Sequence, residues 1–215
     1  LTAIPSGEYS LQIWATFDPF AKRSERWFLM LDKTILSDIK EKSYIKWNPE
    51  AKITWIEYSD LECPFCAKLH NNGTPKELQK KYGNDLNLAF NHFPLDFHKN
   101  ALSWAQILEC VWEEKWVNVF YSLIEKSFSE KNSDKNFLIK EAIKLWANKN
   151  KLEKCLESDK YKDKILSQQK IWNETFGITG TPWNILVNND TGEYEVISWA
   201  YPTADFEKVI DELLK

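Results

Sequence analysis

Glycine is scarce in this chain: six occur in 215 residues, about 3% where globular proteins average about 7%. Long apolar runs are missing as well. None reaches the ~18 residues that mark a membrane-spanning helix. There is no dense Lys/Arg cluster, and the formal net charge is -4. That excludes the basic face through which proteins usually hold nucleic acid. The lysines are scattered among acids, as on solvated helix faces. The opening Leu1-Thr2-Ala3-Ile4-Pro5 has neither a basic start nor an apolar h-region, so no secretory leader is present. Two addresses follow: a cytoplasmic protein, or a mature or trimmed chain whose leader was removed. The three histidines, His70, His92 and His98, form no recognisable ligand set. Internal repeats and low-complexity tracts are absent too.

What is present reads as one soluble globular domain with an inserted subdomain: 43% of residues are hydrophobic and 28% charged. Residues 1–43 carry little signal. Tyr9 to Ile13 suits a short strand, and Phe28 to Ile39 has mixed helical spacing. This part is expected to be an N-terminal extension packed on the core. Lys52 to Tyr58 is short and β-rich, so it predicts a strand. A helix should start at Cys63, with Pro64 at its first position, where a missing N–H costs nothing. Asn71-Asn72-Gly73 interrupts it, and Thr74 restarts it as a cap, with Glu77 closing a capping box. Leu86 to Phe93 alternates and predicts a second strand, parallel to the first across a right-handed crossover. Trp104 to Leu123, Phe137 to Trp146 and Leu152 to about Ile171 keep helical spacing. Trp183 to Val187, the turn Asn189-Asp190-Thr191-Gly192 and Tyr194 to Ser198 form a hairpin. Asp205 to Leu214 closes the chain as an amphipathic helix. The expected organisation is an extension over 1–43, a core over 44–97 and 163–215, and a helical insertion over 98–162.

Chemistry concentrates at Glu62-Cys63-Pro64-Phe65-Cys66-Ala67, where a strand hands over to a helix. Two intervening residues let the sulfurs of Cys63 and Cys66 meet across one helical turn. Cys63 sits at the helix N-terminus, whose unpaired N–H groups favour a negative charge. That lowers its pKa and supplies thiolate, the attacking species in disulfide exchange. Cys66, one turn in, suits the resolving role. The rival reading is half of a zinc knuckle, which would want a second close pair or a His cluster. Cys110 and Cys155 stand 45 residues apart, so redox chemistry is preferred and no metal is expected.

Glu57 to Cys66 resembles the active-site segment of the DsbA-like thiol–disulfide oxidoreductases. Asn91-His92-Phe93-Pro94-Leu95 with His98, the Phe176 to Pro182 loop, and Ala200-Tyr201-Pro202 with the last helix are also similar to that family, from about residue 44 onward. The resemblance implies an α/β thioredoxin fold with an inserted helical subdomain. It implies that Cys63 attacks and Cys66 releases. Pro182 would be a cis-proline facing the pair, and Thr181 would offer its backbone to an extended client segment. Pro64 and Phe65 would join that client contact. Glu57 would be a buried carboxylate with a raised pKa that relays a proton to Cys66; the plainer alternative is a strand residue facing solvent. The family's best-known oxidants have a His between the cysteines, and Phe65 brings no charge. The expected Cys63 pKa therefore lies between about 3.5 and about 7, and a moderate oxidant is expected. The dithiol carries the electrons, so no cofactor is needed. Reduced or mispaired proteins would be the clients, a membrane protein would reset the pair, and the chain would be a monomer. Direction stays open, because Thr181 also suits a reductase or isomerase, and a redox-inert, chaperone-like peptide binder is the rival from another class.

Cys110 and Cys155 both fall in the helical insertion. They are read as a structural disulfide, against two separate buried thiols. A disulfide would favour an extracytoplasmic address. Finally, eleven Trp against six Gly is unusual. Trp47, Trp112, Trp172, Trp183 and Trp199 stand where the resembling family tends to have glycine. They are read as UGA codons that the source organism decodes as glycine, against genuine aromatic core and groove residues.

Overall fold

In the computed structural model of this protein, residues 29–113, 117–130, 135–145 and 147–215 are described. Their strands are β1 (Leu29–Met30), β2 (Tyr44–Trp47), β3 (Ile53–Ser59), β4 (Leu86–His92), β5 (Trp183–Asn188) and β6 (Glu193–Ser198). Their helices are α1 (Lys33–Lys42), α2 (Pro64–Asn71), α3 (Thr74–Tyr82), α4 (Ala101–Trp112), α5 (Val117–Glu130), α6 (Lys135–Lys144), α7 (Lys149–Glu157), α8 (Lys162–Phe176) and α9 (Thr203–Leu213).

The strands form one sheet in the order β1-β6-β5-β3-β4-β2. β3 lies inside it, parallel to β4 and antiparallel to β5. All seven β3 residues are buried, because helices cover both faces of the sheet. Alternation still sorts them. Ile53 and Trp55 join the core on the side of α4, α5 and α9, and Ile56 and Tyr58 join the smaller core beneath α1 and α8. Glu57 shares the face of Ile53 and Trp55. The fold is an α/β thioredoxin fold whose helical insert, α4 to α8, lies between β4 and β5.

Several local readings change. Thr74 is not the cap of α3. Gly73 holds that place at φ 86°, a left-handed turn that glycine adopts without a Cβ clash. Thr74 becomes the first helical residue, and its hydroxyl bonds Thr203 at 3.1 Å, tying α3 to α9. The single helical stretch from Leu152 to Ile171 is two helices, α7 and α8, broken around Asp159 at φ 53°. The stretch from Trp104 to Leu123 likewise divides into α4 and α5. The edge strands β1 and β2 had no sequence signal. The expected strand at Tyr9 to Ile13 lies outside the described residues. Before Tyr44, Asp32 caps α1 by accepting from Thr34 N–H at 2.7 Å, and Leu36 and Ile39 of α1 lie in the smaller core with Ile56 and Tyr58.

Candidate active site

β3 leads into the site and α2 leads out. The turn between them is held by Asp60. Its carbonyl accepts from Cys63 N–H at 3.0 Å, and its Oδ1 accepts from Glu62 N–H at 2.8 Å. Its Oδ2 accepts from Leu95 N–H at 2.8 Å and lies 2.7 Å from His98 Nδ1. One buried carboxylate thus ties the turn to the segment after β4. Burial pushes its carboxyl above the usual 3.8, against the pull of those hydrogen bonds. Glu62 reaches the start of α4 in the same way, accepting from Asn100 N–H at 2.7 Å.

Cys63 is the N-cap of α2 in extended conformation, and Pro64 follows at the first helical position. Both Cys63 and Cys66 are free thiols, so the described state is the dithiol. The two sulfurs have opposite surroundings. A hydrogen bond from the Cys66 thiol is the main reason that Cys63 falls from 9.0 to about 6; burial opposes it, while Thr181 and the N–H groups of Cys66 and Phe65 assist. Cys66 is held well above the usual range by burial first, then by Cys63 and by the charge of Glu57. One sulfur is built to carry charge and the other to carry the proton.

The Thr181–Pro182 peptide bond is cis. Thr181 turns both polar groups to this region. Its carbonyl accepts from the Cys63 thiol at 3.3 Å. Its hydroxyl is buried with no other partner, which leaves it free to donate to the thiolate. Pro182 O accepts from Trp199 N–H at 2.9 Å. Phe65, 46% exposed, meets the Trp199 ring edge-on at 5.4 Å between centroids, so an aromatic surface borders the sulfurs.

Glu57 is fully buried, not solvent-facing. Its two carboxylate oxygens lie 3.0 and 2.9 Å from Nε2 of His70, a partner the sequence reading assigned no role. A signal for it existed: His70 follows Cys66 by four residues, so both occupy one face of α2. Away from this centre, Cys110 of α4 and Cys155 of α7 are joined in a disulfide with Cα atoms 5.9 Å apart. Among the described residues no three His, Cys, Asp or Glu side chains converge as a metal site. No helix among them is long and apolar enough to cross a membrane.

Comparison with known proteins agrees with this geometry. Among solved structures, α-DsbA1 of Wolbachia pipientis aligns with a TM-score of 0.68 at 27% identity, over 80% of this chain and 90% of that one. BdbD of Bacillus subtilis aligns at 0.68 with 21% identity, over 81% and 94%. DsbA of Chlamydia trachomatis aligns at 0.67 with 17% identity, over 80% and 92%. At such identities the last two speak for the fold alone. Among curated proteins, the Na(+)/H(+) antiporter NhaA 1 of Mycolicibacterium gilvum is 36% identical over 70 residues, 32% of this chain. NhaA 1 of Mycobacterium sp. strain KMS is 38% identical over 56 residues, 26% of this chain. The chain spans about a tenth of the length of those relatives, 11% and 9%. Residues 40–212 match the thioredoxin family Thioredoxin_4. That match runs from the end of α1 through the sheet and the helical insert into α9, so the chain belongs to the Thioredoxin_4 family.

Proposed function

We propose that this chain oxidises thiol pairs in protein clients outside the cytoplasm, as a monomeric oxidant of moderate strength. The observation that carries the reading is the asymmetry of the two sulfurs: Cys63 near 6 and Cys66 well above 9.0. An oxidant is strong when its reduced form is stabilised, and a readily ionised Cys63 stabilises that form.

The steps follow from the arrangement. A client thiolate attacks Cys63 of the enzyme disulfide. The Cys63–Cys66 bond breaks, and its electron pair goes to Cys66, which takes a proton from Glu57. A second client thiolate then attacks the client sulfur held on Cys63, closing the client disulfide. Cys63 leaves as the thiolate that Cys66, Thr181 and the helix amides favour. Two electrons have passed from client to enzyme without any cofactor. The client would lie extended along Thr181 and Pro182, with Pro64 and Phe65 at its flank. A separate oxidant, which we place at the membrane, re-forms the pair. The Cys110–Cys155 bond supports the address, since structural disulfides persist where the surroundings oxidise. In this reading the sheet with α2, α3 and α9 forms the redox core, and α4 to α8 form the helical insertion between β4 and β5.

Redox titration against glutathione tests the direction. The expected potential lies above about -270 mV, the thioredoxin level; a value at or below it overturns the oxidant reading. Cys63→Ser should abolish oxidation of a reduced client. Full function in that variant would instead favour a redox-inert peptide binder. Faster refolding of a scrambled client than oxidation of a reduced one would favour an isomerase.

A further inference from the structure

Among the described residues, the imidazole of His70 contacts the Glu57 carboxylate. Glu57 is fully buried, whereas the His70 side chain keeps 7% of its surface. Phe128 of α5 packs on the imidazole, tilted, with ring centroids 4.7 Å apart. The charged and titratable groups around the pair are few. Cys66 lies on the same helix face. From α5 come Tyr121, which feels the charge of Glu57, and Glu125, which feels that of His70. Glu125 in turn holds Lys46 of β2 at 3.1 Å and Lys76 of α3 at 3.7 Å. His70 therefore stands between a sealed carboxylate and a surface ion cluster.

We propose that His70 is a positioning residue for disulfide exchange, which holds Glu57 toward Cys66 and passes its proton to and from the surface beside Glu125. The proposal rests on the exchange reading above. As Cys66 leaves, the Glu57 carboxyl gives it a proton, an N–H of protonated His70 returns one to Glu57, and water reloads His70. No electron passes through the imidazole. A purely structural His70 would also keep Glu57 paired, so the test reads proton transfer.

Single-turnover oxidation of a reduced client is followed from pH 5 to 8 for the full chain, His70→Gln, Glu57→Gln and the double variant, with thermal midpoints read in parallel. His70→Asn serves as a second variant should His70→Gln not fold. The expected result is a rate at least about tenfold lower for His70→Gln, with a flattened pH profile. The double variant should be no slower than Glu57→Gln alone. A parental rate and pH profile in His70→Gln or His70→Asn overturns the proposal, as does an equal loss in the Glu57→Gln background. If the full chain shows no exchange at all, the functional reading has failed, which is a separate outcome.

A second inference comes from the backbone. Trp47 and Trp199 stand at φ 73° and 76°. A bulky side chain is an outlier there, while glycine is at ease. Trp199 is also 55% exposed, so burial does not compensate. The indole N–H groups of Trp172 and Trp183 are buried with no partner, but so is that of Trp104, and Trp172 packs on Tyr58 and Phe176, so this mark does not single those two out. Trp112 bears neither mark; it packs on Tyr44 and Phe120. We infer that positions 47 and 199 are glycine in the organism that makes this protein, through UGA codons decoded as glycine. Glycine at 199 would bare Phe65 to a client strand.

The codons decide it. UGA at positions 47 and 199 is expected; UGG at either overturns the inference. Peptide masses of the native protein should show glycine at both. In the tryptophan-containing protein, Trp47→Gly and Trp199→Gly should each raise the thermal midpoint by ~2–4 °C, and unchanged or lower midpoints would count against the inference.

Discussion

At the residue scale, Thr181 controls what Cys63 can do. The thiol form has a carbonyl to donate to, at 3.3 Å, and the thiolate form has a hydroxyl to accept from. Thr181→Val removes only the second option. The Cys63 titration, followed by thiolate absorbance, should therefore move up from about 6 by about one pH unit. The fold should be untouched, because Thr181 Oγ1 has no other partner to lose. An unmoved titration would mean that Cys66 and the helix amides hold the thiolate by themselves.

At the scale of elements, the insertion is joined to itself by covalent chemistry and to the active site by carboxylates. Cys110–Cys155 closes a loop with a sequence separation of 45 between α4 and α7. Replacing both with alanine should cost ~3–4 kcal/mol by the chain-entropy argument, read by urea unfolding. The Cys63 titration should not change, since neither residue touches the redox pair. The joints to the active-site turn are Asp60, held to Leu95 and His98, and Glu62, held to Asn100. These contacts make the turn before Cys63 part of the interface with the insertion rather than a free loop.

At the scale of the whole molecule, the ionisation of one sulfur sets a pH dependence for the fold. Cys63 titrates at 9.0 when unperturbed and at about 6 in the folded dithiol. Between those values the unfolded chain binds the extra proton, so folding releases it and stability rises with pH. The stabilisation is fully present above pH 9.0 and is lost as pH falls through about 6. Thermal melts of the reduced protein across this window should show the rise, and Cys63→Ser should not. The same term is missing from the oxidised protein, which has no thiolate. The reduced form should therefore melt above the oxidised form near neutral pH, which is the thermodynamic content of being an oxidant.

Much of this was legible in the sequence because it is local. The strand before Cys63, the start of α2 at Pro64, the break at Asn71-Asn72-Gly73 and the hairpin at 189–192 depend on neighbours a few residues away. Where the local signal was weak, the reading slipped. β1 and β2 are two and four residues long and lie at the sheet edges, too short for alternation to register. The break between α7 and α8 has no glycine or proline, only Asp159 in a left-handed conformation. Glu57 could be suspected from its place in an apolar strand, but its burial follows from helices packed on both faces of β3.

Read alone, the sequence determined which sulfur begins a helix and which lies one turn inside, because helix geometry relates residues three apart without outside help. Only the tertiary structure decided what stands opposite them. His70 against Glu57, His98 against Asp60 and Thr181 against Cys63 join residues 13, 38 and 118 positions apart. No spacing rule reaches that far, because such pairs exist only once the sheet has brought its crossovers together.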